Sequence, residues 1–378
     1  MKTSRSIGLI SLLCISIFIS CSQNDIQTSV QLEEREGLAY EANQENPFTG
    51  EVITTDKDGK IIKEENFKDG LLHGAVTTYH SISKEDTLLD PNSPVKEMSG
   101  QYTNGKKNGL WTYWAKNSQK IVELTYQDDK FNGKWTSWYI NGQKKKEGVY
   151  DNGKQIGLWN FWTQDGKQLE VIKDIDGNTY PIIQIGDQVW MAANLQVTHY
   201  RNGDPISNVP SDSLWETMDA GAFCYYDNNS ENALIHGNLY NWYVINDSRG
   251  IAPEGWHIAS DEEWMKLEML LGMEEKKANE MKWRGTDDEG GKLKEEGTKN
   301  WNSPNTKATN ESGFTALASG CRTYNSRFSD IGSNAYIWTS SENEEDFALA
   351  RILYFNSSEI CRHAYDKTFG FSIRCIRD

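Results

Sequence analysis

The sequence lacks several features that would assign it to a common functional class. Its 378 residues contain no run of eighteen apolar residues, no Cys-x-x-Cys pair and no His-Glu-x-x-His motif. These absences argue against an ordinary membrane-spanning helix, a thioredoxin-like redox centre and a zinc protease of that type. The motifs of α/β-hydrolases (Gly-x-Ser-x-Gly) and of phosphate-binding loops are also missing, which leaves no motif-based case for a familiar enzyme.

Positive charge is scarce, and this limits the partners. Lysine and arginine together number 39 against 55 aspartates and glutamates, for a net charge of −16, and no long basic run occurs. Nucleic acids and anionic lipid headgroups are therefore poor partners. A hydrophobic fraction of 37%, with 11% aromatic residues, predicts a folded chain, and its length predicts two domains.

The N-terminal twenty residues have the composition of a signal peptide. Lys2 and Arg5 precede an apolar run over residues 7–19, which is too short to span a bilayer. The next letters, Phe-Ile-Ser-Cys at 18–21, resemble a bacterial lipobox, which implies that Cys21 is the lipidated residue. We predict a lipoprotein signal peptide over 1–20 and a tether over 21–44. A plain secretory signal with an incidental cysteine is the alternative.

Lipidation at Cys21 implies a membrane anchor. Acyl chains such as palmitate supply the affinity, at ~0.8 kcal/mol for each buried CH₂ group. Loss of Lys2 and Arg5 leaves 37 basic residues against 55 acidic ones, for a mature charge of −18. Ser22 stands where Asp commonly signals inner-membrane retention, so we expect an outer-membrane lipoprotein. The sequence leaves open whether its body faces outward or into the periplasm.

A glycine pattern repeats through the first half of the chain. Glycines followed by a strand-like segment occur at 50, 74, 109, 133 and 157, with spacings of 24, 35, 24 and 24. The longer spacing equals one period plus eleven residues, which we place within 81–95. Each unit has an additional Asp-Gly or Asn-Gly pair, as at 58–59 and 141–142, which favours a two-residue hairpin turn. A fixed period of hairpins predicts an all-β antiparallel meander.

The period and its aromatic residues resemble the MORN repeat, in the variant form of antitoxin-like and envelope proteins, over about 45–170. Strand alternation places one set of rings on a shared face of the meander: Trp111, Tyr113, Trp135, Trp159 and Phe161. Trp114, Trp138 and Trp162 point to the other face. The first set, here called the aromatic strip, has two interpretations. Its rings stack on neighbouring repeats, or they form a recognition strip that a second domain, a partner or a ligand covers.

The period ends near Val171, and a different set of motifs follows. They include Ile-Gly-Asp-Gln-Val-Trp at 185–190, Pro-Glu-Gly-Trp-His at 253–257 and Gly-Phe-Ser-Ile-Arg-Cys at 370–375. In this order they resemble the Fibrobacter succinogenes major paralogous domain, over 171–378. That family is common in lipoproteins and secreted proteins, and its biochemical role is largely undefined. The closing motif is also similar to the C-type-lectin-like superfamily, which implies an α+β fold.

Four cysteines remain after the signal peptide and the lipidated residue: Cys224, Cys321, Cys361 and Cys375. An even number in an oxidising compartment allows three disulfide pairings, and all four could also stay reduced. The lectin-like resemblance implies a nested arrangement, with Cys224–Cys375 outside and Cys321–Cys361 inside.

One helix of the second domain is clear from its cap. Ser260 and Glu263 form a capping box, and Gly272 marks the end. Between them one buried stripe is predicted at Trp264, Leu267, Leu270 and Leu271.

Acidic clusters occur at 287–289 and 342–346. Their carboxylates could bind Ca²⁺, which prefers oxygen ligands. A solvated surface is the favoured interpretation. The segment from Asp174 to Asn178 begins like a calcium loop but lacks the Glu at loop position twelve, so we predict a hairpin turn. We therefore predict no metal ligands and no cofactor, with Ca²⁺ as a weak alternative.

These patterns favour a non-catalytic, lipid-anchored envelope protein whose target is a polysaccharide or another envelope protein. The first alternative is an enzyme on a scaffold similar to formylglycine-generating enzymes. Those hold copper with a close cysteine pair, whereas Cys361 and Cys375 are fourteen residues apart. The second is an antitoxin or immunity role for the repeats, which conflicts with a signal peptide. The ligand and the oligomeric state stay open.

Overall fold

The computed structural model describes residues 26–81, 94–285 and 288–378. The predicted signal peptide and Cys21 lie outside these ranges. The chain divides into two compact units, one ending at Phe131 and one formed by Asn132–Asp378. Most of the tenth strand and all of the next two therefore belong to the second unit, together with the domain that follows Val171. No helix of the described residues is long and apolar enough to cross a membrane.

The repeat region is an antiparallel meander, as predicted. A ten-stranded sheet has the order β1-β4-β5-β6-β7-β8-β9-β10-β11-β12. The strands up to β12 are β1 Ile26–Thr28, β2 Leu32–Arg35, β3 Leu38–Glu41, β4 Gly50–Asp56, β5 Ile61–Lys68, β6 Leu71–Tyr79, β7 Lys96–Thr103, β8 Lys106–Trp114, β9 Lys120–Gln127, β10 Lys130–Trp138, β11 Lys144–Asp151 and β12 Lys154–Phe161. Each repeat glycine lies in an even-numbered strand, so one 24-residue period is one hairpin.

The segment assigned to a tether, 21–44, contains three short strands among its described residues. β1 pairs with β4, with Ile26 opposite Asp56, and β2 and β3 form a separate hairpin. The Ala39 N–H donates to the Gly70 carbonyl at 2.9 Å, which ties that hairpin to the β5–β6 turn. These strands escaped prediction because they carry no copy of the repeat pattern.

The predicted insertion falls between β6 and β7. Its ends are joined by a hydrogen bond of 2.8 Å from the His80 N–H to the Val95 carbonyl. Residues 82–93, which make up most of the predicted insertion, lie outside the described residues.

Tryptophan-on-glycine packing recurs in the meander. Trp111 of β8 lies over Gly100 of β7, and Trp159 of β12 lies over Gly148 of β11. In both pairs the strand register shifts beside the glycine, as in a β-bulge, which re-aims the tryptophan. The sequence signal is a glycine eleven residues before a tryptophan.

We expect Gly148→Ala to destabilise the second unit, because the new Cβ atom would lie 2.1 Å from the Trp159 ring. Overpacking of this kind typically costs about 1–3 kcal/mol. Chemical denaturation of the 22–378 fragment measures the effect. Val149→Ala is the control, since Val149 is the next residue on β11 and 41% exposed. Equal stability of the two variants would contradict the packing shown here.

The C-terminal part is mostly β with few helices. One sheet has the order β13-β14-β15-β27-β19, a second β16-β17-β18, and a third β20-β25-β24-β23-β21-β22 with β26 beside β23. The strands are β13 Val171–Lys173, β14 Thr179–Ile185, β15 Gln188–Met191, β16 Ser207–Asn208, β17 Ala222–Cys224, β18 Leu239–Tyr240, β19 Trp256–Ile258, β20 Lys282–Arg284, β21 Ser319–Arg322, β22 Phe328–Ile331, β23 Asn334–Glu344, β24 Phe347–Tyr354, β25 Ile360–Asp366, β26 Ser372–Ile373 and β27 Cys375–Arg377. The α-helices are α1 Asp212–Trp215, α2 Ser230–His236, α3 Asp261–Leu270, α4 Glu275–Ala278 and α5 Glu289–Leu293, and 3₁₀ turns cover Tyr226–Asn228 and Trp242–Val244.

Helix α3 has the predicted ends and a different buried face. The capping box between Ser260 and Glu263 is present in both directions, and Gly272 follows the last turn with a φ of +116°. Trp264, Leu267 and Leu271 are buried, but the prediction for Leu270 is wrong, since it is 46% exposed. Glu268 is fully buried on that face, because two arginines of the third sheet bind its carboxylate.

Candidate functional site

The aromatic strip is packed within the meander. Trp111, Trp159 and Phe161 are buried, whereas Tyr113 and Trp135 are half-buried. Trp111 meets Tyr102 edge-on at 5.2 Å between ring centroids. The three buried rings therefore have little surface to offer a ligand, and their contacts support the stacking interpretation.

A lysine occupies the strip in the second unit. The Lys146 ammonium lies 4.4 Å from the ring centroid of Trp159 and 5.4 Å from those of Trp135 and Phe161. Burial, followed by repulsion from Lys145, lowers the pKa of Lys146 to about 8. An internal cation thus takes the place above the rings that a ligand would need.

All four cysteines of the C-terminal part are free and buried. Neither nested pair implied by the lectin-like resemblance is formed. Cys321 in β21 and Cys361 in β25 have β23 and β24 between them, a separation of about 14 Å at the usual strand spacing, whereas a disulfide needs Cα atoms within about 7 Å. Cys224 and Cys375 lie in strands of different sheets and in different hydrophobic clusters.

Burial also makes these thiols unreactive. It raises the pKa of Cys224 and of Cys321 to about 12 and that of Cys361 to about 11. The thiolate is the reactive form of cysteine, so almost none is present near neutral pH.

We therefore expect four titratable thiols in the 22–378 fragment after denaturation without reductant, and almost none in the native fragment. Ellman's reagent measures both numbers. A prior treatment with reductant serves as the control and should leave the denatured value unchanged. A count of two or zero before reduction would contradict the free thiols.

Acidic side chains that the structure describes in these segments are hydrogen-bonded within the fold. The Asp174 carboxylate accepts hydrogen bonds from the Asn178 N–H at 2.9 Å and the Tyr180 hydroxyl at 2.6 Å, which closes the predicted hairpin turn. Glu342 accepts from the Lys367 ammonium at 2.8 Å. Over the described ranges no group of three or more His, Cys, Asp or Glu side chains could hold a metal. Asp287, in the other acidic segment, lies outside them.

Buried cations hold the loops of the C-terminal part in place. The Arg374 guanidinium, fully buried, donates to the Asn194 side-chain oxygen at 2.6 Å and to three carbonyls, those of Met191, Phe314 and Thr315, at 2.8–2.9 Å. Burial lowers its pKa to about 9. This explains an arginine in the closing motif: one side chain satisfies acceptors from two separate segments, 191–194 and 314–315.

Lys294 forms a similar set of hydrogen bonds elsewhere in the C-terminal part. Its ammonium donates to the carbonyls of Thr306, Tyr354 and Ser357 at 2.8–3.0 Å. Burial lowers the pKa of this lysine to about 8. The loop at Thr306 and the end of β24 with its following turn are thereby held around one charge.

One surface feature of the third sheet is a row of neighbouring rings. Tyr324 lies 5.7 Å from Phe369, Phe369 lies 5.4 Å from Tyr365, and Tyr365 lies 5.1 Å from His363, measured between ring centroids. Tyr324 is 58% exposed, His363 is exposed, and the two rings between them are half-buried. These four residues are here called the ring row.

The fold places the ring row through strand alternation and one tight contact. His363 and Tyr365 alternate along β25, so both point to the same face. Their cross-strand partners on β24 are Ala350 and Ala348, whose small side chains leave space beside the rings. Tyr324 belongs to the turn after β21, and mutual backbone hydrogen bonds of 2.7 and 2.9 Å between Arg322 and Gly370 bring that turn beside Phe369.

The comparison with protein families assigns this part of the chain. The sequence model of the Fibrobacter succinogenes major domain matches residues 183–377, just over half of the chain. The chain belongs to this family. A search of curated proteins found no match. The ring row, Lys294 and Arg374 all lie within the matched segment.

Analysis of the sequence missed the ring row of the Fibrobacter domain. The row joins residues 324 and 369, which are distant in the chain and have no periodic spacing. The alternation of His363 and Tyr365 could have indicated a shared face, but only the fold shows which face stays at the surface. A second exposed ring, that of Trp283, lies on β20 and meets Tyr354 edge-on at 4.6 Å.

Proposed function

We propose that this chain is a lipid-anchored protein of the cell envelope, held in the outer membrane through Cys21. In this proposal its role is to bind or scaffold without catalysing a reaction, and its target is a polysaccharide or another envelope protein. The observation that carries the proposal is the ring row, in which two exposed and two half-buried rings lie together at the surface of a packed core. Exposed aromatic clusters on rigid elements are typical of binding surfaces.

The interior of the Fibrobacter domain supports a binding role. Arg374 and Lys294 together fix loops through seven hydrogen bonds to oxygen acceptors, counted from their contacts. A binding surface loses less conformational entropy on association when its supporting loops are already ordered. The Arg374 guanidinium and the Lys294 ammonium are polar groups of the kind that a catalysed reaction would require. Here both groups are used to hold the fold.

The proposal extends to the architecture. We infer that the meander is a MORN-type array, since one hairpin corresponds to one 24-residue period. We also infer a lectin-like arrangement for the C-terminal domain, on the closing Gly-Phe-Ser-Ile-Arg-Cys motif. The repeats would serve as a spacer or docking sheet and the C-terminal domain as the recognition part.

Binding of the 22–378 fragment to purified glycans and to envelope extracts tests the role, with and without Ca²⁺. We expect saturable binding to at least one of these targets. Absence of saturable binding under every condition would contradict the proposal. Stoichiometric copper in the purified fragment, accompanied by turnover of a substrate, would favour the enzymatic alternative.

We expect Cys21→Ala to release the full-length protein from the membrane fraction. Cys14→Ala is the matched control, because Cys14 lies within the apolar run of the predicted signal peptide. Fractionation followed by immunoblotting measures the distribution. Equal membrane association of the two variants would contradict a lipid anchor at Cys21.

A further inference from the structure

We propose that the ring row of Tyr324, Phe369, Tyr365 and His363 binds an extended, uncharged glycan chain, with successive sugar units lying on successive rings. This inference rests on the proposed function and specifies its ligand class and its binding surface.

The spacing of the row is the first argument. Its three centroid distances, 5.1, 5.4 and 5.7 Å, are nearly equal, and neighbouring ring planes are turned by 54°, 67° and 50° against one another. A sugar unit in an extended glycan has a length close to one such distance. The C–H faces of a sugar are apolar and slightly positive, which matches the negative face of an aromatic ring.

The position of the row on the core is the second argument. Tyr365 also contacts Phe371 at 5.1 Å and Tyr336 at 6.2 Å between ring centroids. Phe371 is fully buried, and the Tyr336 hydroxyl donates to the Asp330 carboxylate at 2.8 Å. The half-buried rings are therefore held in place by the core residues beneath them. A glycan that lies on these rings meets a preformed surface.

Hydrogen-bonding capacity is the third argument. Within the residues that the structure describes, the phenol oxygens of Tyr324 and Tyr365 have no hydrogen bond, while His363 uses only Nδ1, 2.6 Å from the Ala364 carbonyl. Two hydroxyls and one ring nitrogen are thus available beside apolar faces. Sugars combine hydroxyl groups with apolar faces in the same way, whereas proline-rich peptides dock into aromatic grooves mainly through their pyrrolidine rings.

Charge is the fourth argument. Two cations flank His363 and Tyr365 in the sequence, Arg362 and Lys367. Both are already paired, Arg362 with Asp261 at 2.5 Å and Lys367 with Glu342 at 2.8 Å. Lysine and arginine number 39 in the whole chain against 55 acidic residues. An anionic polysaccharide would meet net repulsion from this acidic chain, which favours a neutral glycan.

Calorimetric titration of the 22–378 fragment tests the inference with neutral oligosaccharides of glucose, mannose and xylose, from one to six units long. We expect the affinity for at least one series to rise with each added unit up to about four units and then to level off. Tyr324→Ala and His363→Ala should each weaken binding about tenfold, which corresponds to ~1.4 kcal/mol. Thermal melting confirms that both variants, altered at exposed positions, stay folded.

Phe347→Ala is the matched control. Phe347 is 39% exposed and lies next to Ala348, the partner of Tyr365, so alternation directs it to the opposite face of the sheet. Its replacement should leave glycan affinity unchanged. Equal loss in all three variants, or equal affinity for one unit and for six, would overturn the inference.

The failure of this inference can be told apart from that of the proposed function. Saturable binding to an envelope protein, an anionic glycan or a proline-rich peptide, with none to the neutral series, would overturn the neutral-glycan inference and leave a binding role standing. Absence of binding to glycans and to envelope extracts would overturn both.

Discussion

Replacing Glu268 with alanine should lower the free energy of unfolding of the 22–378 fragment by about 3–5 kcal/mol. The Glu268 carboxylate is fully buried and bridges two equally buried arginines, Arg284 at 2.5 Å and Arg351 at 2.6 Å. Its removal leaves Arg284 without a counter-charge, and Arg351 with Asp261 as its remaining carboxylate, in a low-dielectric interior. Urea denaturation followed by tryptophan fluorescence measures the loss.

Lys266→Ala on the same helix is the control for this prediction. Lys266 pairs with Asp187 at 2.6 Å, but both side chains are about half or more exposed, at 49% and 67%. Exposed ion pairs contribute between about zero and 1 kcal/mol. A small loss for Glu268→Ala, comparable to that for Lys266→Ala, would show that water reaches the arginines.

The network extends beyond Glu268 and ties α3 to three strands of the third sheet. Asp261, at the start of the helix, binds Arg351 at 2.7 Å and Arg362 at 2.5 Å. Two carboxylates thus face three guanidinium groups, on β20, β24 and β25. A single helix is thereby held in one position on the sheet, since any shift would leave a buried charge unpaired.

Arg374→Met should also cost about 3–5 kcal/mol and should weaken the near-ultraviolet circular dichroism signal. The substitution keeps much of the side-chain length but removes every donor to Asn194, Met191, Phe314 and Thr315. Each acceptor left buried without a partner costs about 1–3 kcal/mol, reduced where the site relaxes or admits water. The loops that these acceptors belong to would then lose their common anchor.

Arg377→Met serves as the control for Arg374→Met. Arg377 is exposed, three residues further along, and lies over the Trp256 ring at 5.2 Å. An exposed cation–π contact contributes about 0.5–1 kcal/mol, so the control should unfold nearly as the unchanged fragment does. Similar losses in both variants would mean that the buried hydrogen bonds of Arg374 are not the source of the effect.

Some of the fold could be predicted because it depends on local chemistry. The positive φ of turn glycines and the hairpin period predicted the meander, and Ser260 with Glu263 predicted the start of α3. The β1–β3 segment was missed because it carries no copy of the repeat pattern, and because β1 pairs with the distant β4 and the β2–β3 hairpin is tied to Gly70. The same limit applies to the buried tryptophans, since alternation shows which rings share a face but not what covers it.

The sequence by itself determined the period of the meander, the cap of α3 and membership of the Fibrobacter domain family. Each of these depends on residues that are close together in the chain or that follow one another in a fixed order. Only the tertiary structure decided that Glu268 is buried and Leu270 exposed, that Cys321 and Cys361 lie on strands too far apart to pair, and that Tyr324 meets Phe369 in a surface row. Those outcomes depend on which strands become neighbours. The contacts of Glu268 with Arg351 and of Tyr324 with Phe369 join residues that are tens of positions apart, so these side chains become partners through folding rather than through spacing.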